Sequence, residues 1–154
     1  MYNRILSSCF NMLFIFLIVT CSNAQTYSTS IEVGARQLSQ YLPDLINKDV
    51  AIVANQTSTI NNTHLIDTLL SLEINIKKVF APEHGFRGIA DAGEEVKDEI
   101  DISTGLPIFS LHGRKKRKPS AEILKDVGVI IFDIQDVGVR FYTYISTMHY
   151  VMEA

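Results

Sequence analysis

Residues 127–132 read VGVIIF and residues 49–54 read DVAIVA, and these two short apolar runs decide the fold. Each run is rich in branched aliphatic side chains, which is typical of a strand that is buried on both faces of a parallel sheet. Two weaker runs follow the same pattern, at residues 77–81 (KKVFA) and 106–111 (LPIFSL). The sequence therefore predicts four strands in one sheet.

Helical patterns alternate with these strands. The predicted helices are residues 27–46 with an interruption at Pro43, a helix with an apolar face that Thr63 caps, residues 120–125 opened by Ser120, and a helix from Ser146 with Met148, Val151 and Met152 on its apolar side. Residues 55–62 and 113–119 are predicted loops, and residues 83–104 form a long polar stretch without a helix or strand pattern. Such alternation predicts an α/β fold with a doubly wound, mostly parallel sheet.

The first 24 residues have the layout of a secretory signal peptide. Arg4 precedes the apolar run 10–19, and small residues at 22–24 suit cleavage after Ala24. The apolar run is shorter than the ~20 residues that a membrane-spanning helix needs. We expect residues 25–154 to be an exported domain, periplasmic or secreted, without a permanent membrane span. The alternative is cleavage before Cys21, which would give a lipoprotein anchored through that cysteine.

Composition narrows the chemistry. Both cysteines, Cys9 and Cys21, lie in the predicted leader, so the mature domain would have no disulfide, thiolate nucleophile or cysteine metal site. Without the leader's single basic residue, Arg4, 13 basic residues face 17 acidic ones, which gives no electrostatic case for nucleic acid. The sequence has no dinucleotide, P-loop or serine-hydrolase motif, and no ligand spacing around His84, so neither a nucleotide cofactor nor a metal is expected.

Polar residues follow each predicted strand, where parallel sheets bind their ligands. These residues are Asn55-Gln56-Thr57, the segment Glu83–Gly88, His112-Gly113 and the segment Asp133–Arg140. Glu83 with Asp133 or Asp136 could form an acid–base pair, because strands lie ~4.8 Å apart and glycosidase carboxyl pairs are ~5–9.5 Å apart. The alternative is that Asp133 closes a turn and that Glu83 is a surface loop residue.

Other polar residues of this rim have a functional and a structural interpretation. His84 is either a general base or a satisfied loop histidine. Arg87 and Arg140 either hold an anionic substrate group or form ion pairs with Asp91, Asp133 or Asp136. The basic run 114–118 and the acidic run 91–101 are interpreted as solvated loops, rather than as a polyanion site and a calcium site.

Four segments then resemble one family. They are VAIVANQTS (50–58), FAPEHGFRG (80–88), DISTGLPIFSLHG (101–113) and FDIQDVGVRFYTYISTM (132–148). In the same order they are similar to segments of the bacterial exo-β-N-acetylmuramidases of peptidoglycan recycling, long known only as a domain of unknown function. The resemblance covers residues from about 33 to 154. One departure is His112, where family members usually have tyrosine.

The resemblance implies a Rossmann-like N-terminal catalytic domain at residues 25–154, cut off before a C-terminal domain. It implies release of terminal N-acetylmuramic acid from the non-reducing end of peptidoglycan fragments, with Glu83 as catalytic carboxylate and general acid. Asp133 or Asp136 would orient the sugar or assist the attacking group, and Arg87 or Arg140 would pair with the lactyl carboxylate. The predicted substrate-binding residues are Asn55, Gln56, His84, Arg87, Gln135, Arg140 and Tyr142.

The predicted partners are therefore muramyl saccharides derived from peptidoglycan. Two alternatives remain at this stage. The same fold could serve as a non-catalytic binder of cell-wall sugars, because fold alone does not determine function. The last helix reaches Ala154 without a stop signal, so we expect the front part of a longer protein, and an inactive truncated fragment is the second alternative.

Overall fold

A computed structural model describes residues 31–88, 96–113 and 117–154. Its helices are α1 (Leu38–Leu45), α2 (Leu65–Ser71), α3 (Ala121–Leu124) and α4 (Tyr144–Glu153), and a 3₁₀ turn covers Gly34–Arg36. Its strands are β1 (Val50–Ala54), β2 (Thr59–Ile60), β3 (Thr63–His64), β4 (Ile76–Ala81), β5 (Glu99–Ile100), β6 (Pro107–Ser110) and β7 (Val129–Asp133). The predicted leader and parts of the acidic and basic loops lie outside the described residues.

Five strands form one sheet in the order β5-β6-β4-β1-β7. β1 pairs in parallel with β4 and β7, β4 pairs in parallel with β6, and only the short edge strand β5 pairs antiparallel. In chain order the four parallel strands therefore lie third, second, first and fourth. This is the order of the first half of a Rossmann fold, and its direction reverses between β1 and β7. The predicted α/β class and the mostly parallel sheet are confirmed.

β1 is the centre of the core. All five of its residues are inaccessible to solvent, which explains why the run has no polar position. Alternate β1 residues face opposite sides of the sheet. Ile52 packs in a cluster that includes side chains of α1 and α2, whereas Val53 packs in a second cluster with Ile123 of α3 and Val151 of α4. Helices thus cover both faces, as a doubly wound sheet requires.

The starts of two helices differ from the prediction. His64, not Thr63, caps α2: its Nδ1 accepts a hydrogen bond from the Ile66 amide at 3.3 Å. Thr63 and His64 form β3, which pairs with β2 in a short hairpin that begins inside the predicted loop 55–62. α4 begins at Tyr144 rather than Ser146, since burial of the Tyr144 side chain extends the helix by two residues.

Two apolar patterns also give results that periodicity alone did not predict. Pro43 lies inside α1, which continues to Leu45, because burial of Leu45 against the sheet offsets the hydrogen bond that proline cannot make. Met152 of α4 is 79% exposed, whereas Val151 is buried.

The Ser120 cap of α3 is confirmed, with its Oγ accepting from the Ile123 amide. Within the described ranges, no helix is long and apolar enough to cross a membrane.

The central strand gives the first prediction. Replacing Ile52 by alanine should lower the free energy of unfolding by about 2–5 kcal/mol, because it removes three buried carbons and leaves a cavity in the core. The matched control is Ile102→Ala, since Ile102 is fully exposed and should change stability by less than about 0.5 kcal/mol. Urea unfolding of both variants measures the difference, and equal stabilities would contradict this account of the core.

Candidate functional site

A cleft of about 340 Å³ lies at the carboxyl ends of β4 and β6. Glu83 follows β4, residues 111–113 follow β6, and the first two turns of α4 close the remaining side. The lining residues are Glu83, Leu111, His112, Gly113, Arg117, Thr143, Ser146, Thr147 and Tyr150. The cleft therefore combines one carboxylate, one guanidinium, one imidazole and several hydroxyl groups, which are the groups that recognise and process polar ligands.

Glu83 is held at the mouth of β4 by a tight turn. Its Oε2 accepts a hydrogen bond of 3.1 Å from the Thr143 hydroxyl, which joins it to the start of α4. His84 follows with a φ of 71°, a conformation that is strained for a non-glycine residue, and Gly85 continues with a φ of 76°. Buried Phe86 anchors the far side of the turn. Backbone strain of this kind collects at functional sites, where the surrounding structure fixes it.

Arg87 stabilises this turn through contacts with Asp101 and Phe86. Its Nη2 and Nε donate to the two carboxylate oxygens of Asp101, at 2.8 and 3.2 Å, and its guanidinium lies 4.4 Å from the ring centroid of Phe86. Arg87 thus forms an ion pair with Asp101 rather than with Asp133 or Asp136, and Asp91 lies outside the described residues. A substrate-binding role for Arg87 stays a prediction.

Asp101 is a buried carboxylate whose charge is stabilised by its neighbours. Burial alone would raise its pKa, but the hydrogen bonds from Arg87 and from the hydroxyl and amide of Thr104 outweigh that effect and hold the pKa below its usual value. The Arg87–Asp101 pair thus joins the Glu83 turn to the segment that precedes β6. It is a structural contact, and it uses two of the five N–H donors of Arg87.

Asn55 occupies the end of β1 and is inaccessible to solvent. Its side-chain oxygen accepts from the amide and the hydroxyl of Thr57, at 2.9 and 2.7 Å, and its carbonyl oxygen lies 3.0 Å from Nε2 of His64. Its Nδ2 has no partner of normal geometry in the described part of the chain, but the amide opposes the rise that burial causes in the pKa of Tyr144. Asn55 therefore organises the end of the strand from within.

His64 completes this arrangement in its neutral form. Its Nδ1 accepts from the Ile66 amide, so Nε2 carries the proton and donates to the carbonyl of Asn55. Burial lowers the pKa of His64, and the positive charge of Arg87 adds to the effect. The ring of Phe86 packs edge-on against the imidazole at 4.8 Å. This histidine was not among the residues singled out from the sequence.

The end of β7 is tied to the end of β1 by hydroxyl groups. The Ser58 hydroxyl donates to the carbonyl oxygen of Asp133, and the amide of Gln135 donates to the Thr57 hydroxyl at 3.2 Å. Burial raises the pKa of the Asp133 carboxyl group, and His64 opposes this rise. Its Oδ2 is buried without a hydrogen-bond partner among the described residues.

Asp133 does not line the Glu83 cleft. It borders a different cavity, of about 420 Å³, together with Tyr41 and Leu65 on the face that α1 and α2 cover. The side chain of Asp136 is exposed and accepts from the amide of Gly138 at 3.1 Å. A catalytic role for Asp133 or Asp136 stays a prediction.

The remaining predicted contact residues lie around the cleft rather than in it. Gln56 is exposed and packs so close to Gly88 that a Cβ there would lie 2.7 Å from its Cδ, which explains the glycine. Gln135, Arg140 and Tyr142 are exposed, and Arg140 forms no ion pair with a described residue. Of the predicted catalytic and substrate-binding residues, only Glu83 lines the cleft, together with His112 and Gly113, which were expected at the same edge of the sheet.

The missed residues have a recognisable spacing. Thr143, Ser146, Thr147 and Tyr150 carry hydroxyl groups at intervals of three and four residues, which places them along one side of a helix. That stripe was available in the sequence, but it becomes a signal only when the helix is known to start at Tyr144. In the described ranges, no three histidine, cysteine, aspartate or glutamate side chains are grouped to hold a metal.

A family described as "Exo-beta-N-acetylmuramidase NamZ, N-terminal" matches residues 50–154. The chain belongs to this family. The resemblance noted in the four segments is therefore confirmed. A curated member, the peptidoglycan beta-N-acetylmuramidase NamZ of Bacillus subtilis (strain 168), is 47% identical over 121 residues, which are 76% of this chain and 28% of that protein.

Two solved structures of DUF1343 family proteins from Bacteroides fragilis NCTC 9343 are similar to this chain. The alignment with the first has a TM-score of 0.68 at 42% identity, and it covers 81% of this chain and 31% of the chain of that structure. The second has a TM-score of 0.65 at 43% identity, with 75% and 28% coverage. The chain thus spans less than a third of the relatives that it matches.

The Asp101 carboxylate predicts a pH-dependent contribution to stability. Because its pKa is lower in the folded protein than the ~3.9 of an unfolded chain, the carboxylate stabilises the fold above that value. The contribution is lost as the pH falls through the folded-state pKa. Asp101→Asn should therefore lower the free energy of unfolding by about 2 kcal/mol at pH 7, with a difference from wild type that shrinks at acid pH.

Urea unfolding at a series of pH values between neutral and strongly acid measures this difference. Asp44→Asn is the control. Because Asp44 is exposed, this substitution should hardly change the free energy of unfolding at any pH of the series. A difference between wild type and Asp101→Asn that stays constant over the whole series would contradict the ion-pair interpretation.

Proposed function

We propose that this protein is an exo-acting glycoside hydrolase that releases terminal N-acetylmuramic acid from the non-reducing end of peptidoglycan fragments. The observation that carries the proposal is the position of Glu83, the carboxylate of the cleft at the carboxyl ends of β4 and β6. Family membership and the name of the 47% identical Bacillus relative support the same chemistry. Muramyl saccharides are accordingly the proposed substrates.

In the proposed reaction Glu83 is the general acid. Cleavage of a glycosidic bond leaves the electron pair on the bridging oxygen, which must be protonated as it departs. A glutamic acid within hydrogen-bond reach of that oxygen supplies the proton and becomes a carboxylate. The Thr143 hydroxyl then matters as an orienting group, because its hydrogen bond to Oε2 restricts the rotamer of Glu83.

The hydroxyl groups of α4 suit a sugar ligand. Ser146 and Tyr150 line the cleft from successive turns, and His112 lines it as well. Such groups donate and accept hydrogen bonds, as the hydroxyl and acetamido substituents of a hexosamine require. We also propose that the leader at residues 1–24 exports the protein to the periplasm or beyond it, where cell-wall fragments occur.

Glu83→Gln tests the role of Glu83. The amide preserves size and the contact with Thr143 but has no acidic proton to transfer, so turnover should fall by about 10²–10⁴-fold or more while substrate binding persists. Release of p-nitrophenol from p-nitrophenyl β-N-acetylmuramic acid by the full-length protein measures turnover, and calorimetry with N-acetylmuramic acid measures binding.

Glu122→Gln is the matched control, because Glu122 is an exposed glutamate paired with Lys125 on the surface of α3 and should not affect turnover. A fully active Glu83→Gln protein would remove Glu83 from the mechanism. Binding of the sugar by wild type without any release of p-nitrophenol would overturn the hydrolase and indicate a cell-wall sugar-binding module.

A further inference from the structure

Arg117 is a cationic group of the Glu83 cleft that the proposed reaction has not used. It lines the cleft and is exposed to solvent. It forms no ion pair with any residue of the described ranges, where the neighbouring Lys118 pairs with Glu153 at 3.3 Å. Among the described residues that line the cleft, Arg117 is the one basic residue of the Lys or Arg type and Glu83 is the one acidic residue. An unneutralised guanidinium beside a catalytic carboxylate indicates an anionic group on the ligand.

The other arginines of the described ranges are less suited to this role. Arg87 donates two hydrogen bonds to Asp101 and stacks on Phe86, so one edge of its guanidinium is already engaged by the protein. Arg36 lies near Glu32 at 3.8 Å on the surface, and Arg140 is exposed but does not line the cleft. Binding of the substrate's carboxylate by Arg87 or Arg140, expected from the sequence, stays a prediction and is the rival to a role for Arg117.

We propose that Arg117 is the carboxylate receptor of the cleft and binds the lactyl ether carboxylate of the muramyl sugar. The choice of that sugar rests on the proposed function. Arg117 thereby selects carboxylated hexosamines over the otherwise identical N-acetylglucosamine, which has no such group. The guanidinium presents two parallel N–H donors to the two carboxylate oxygens, a geometry that an ammonium group does not reproduce.

The backbone just after Arg117 is fixed, which favours a binding role over that of a loosely placed surface charge. Pro119 is buried. Ser120 caps α3, with its Oγ accepting from the Ile123 amide at 3.3 Å. Lys118 adds a contact with the last turn of α4, although both side chains are largely exposed and the pair contributes little stability. Arg117 thus projects from an anchored segment, and less side-chain and backbone freedom is lost when a ligand binds.

The test measures discrimination between two sugars. Dissociation constants of the full-length protein for N-acetylmuramic acid and N-acetylglucosamine are compared by calorimetry at pH 7 and fixed ionic strength. Wild type should prefer the carboxylated sugar by about 10–100-fold, the range expected for a charge-assisted pair of hydrogen bonds. Arg117→Gln should reduce this preference to nearly one, and Arg117→Lys should restore only part of it because the bidentate fork is lost.

Arg36→Gln is the control, since it removes a surface arginine of the same type far from the cleft lining and should leave the preference unchanged. Arg140→Gln is the rival assignment. Circular dichroism verifies that each variant is folded, and Arg117→Lys keeps the proposal testable if the glutamine variant is not. Retained discrimination in Arg117→Gln, or its loss in Arg140→Gln instead, would overturn the proposal.

The binding measurement separates this inference from the proposed hydrolase. Discrimination that depends on Arg117 supports the carboxylate receptor even if no p-nitrophenol is released, in which case the hydrolase alone fails. Hydrolysis that Glu83→Gln abolishes, combined with unchanged sugar preference in Arg117→Gln, overturns the receptor and leaves the hydrolase standing. Absence of any preference in wild type also overturns the receptor.

Discussion

The burial of β1 is the constraint on which the rest of the structure depends. Its five residues are completely inaccessible, so both faces need helices and both edges need strands. Parallel pairing with β4 and β7 then aligns the carboxyl ends of the strands at one edge of the sheet. Glu83, Asn55 and Asp133 each lie at or directly after one of these ends. A buried central strand thus brings together segments that are 50 to 80 residues apart in the chain, such as Ser58 and Asp133.

The ends of β1 and β7 differ in role from the ends of β4 and β6. At the point where the strand order reverses, between β1 and β7, hydroxyl and amide groups of Asn55, Thr57 and Ser58 bond one another and the backbone of β7. Most polar atoms at this position already form hydrogen bonds within the protein. The Glu83 cleft lies instead over β4 and β6, where α4 rather than another strand end supplies the opposing wall. A ligand-binding position was expected at this edge of the sheet, but not its displacement toward α4.

Much of the fold could be predicted from local sequence, and less of the site. The four parallel strands occur within about two residues of their predicted bounds, because a continuous apolar run reports its own burial. Glu83 was found because a strand end is recognisable. The partners of Arg87 and Ser58 were not predicted, since Asp101 and Asp133 reach them through tertiary contacts that no spacing encodes. The cleft wall was missed because the start of α4 depends on the burial of Tyr144.

α4 shows how the fold and the site share one element. Its buried side chains face the protein interior and are those of Tyr144, Thr147 and Val151. The Thr147 hydroxyl donates a hydrogen bond of 3.3 Å to the carbonyl oxygen of Thr143. Ser146 and Tyr150 lie one position before two of those buried residues, so the same helix turn that buries Thr147 and Val151 exposes hydroxyl groups to the cleft. The orientation of these hydroxyls is therefore set by apolar packing rather than by their own hydrogen bonds. Thr143 links α4 to Glu83, because it directly precedes the helix and its hydroxyl donates a hydrogen bond to the Glu83 carboxylate. The packing of Val151 in the core thus positions Glu83 and the cleft wall formed by α4 as one unit.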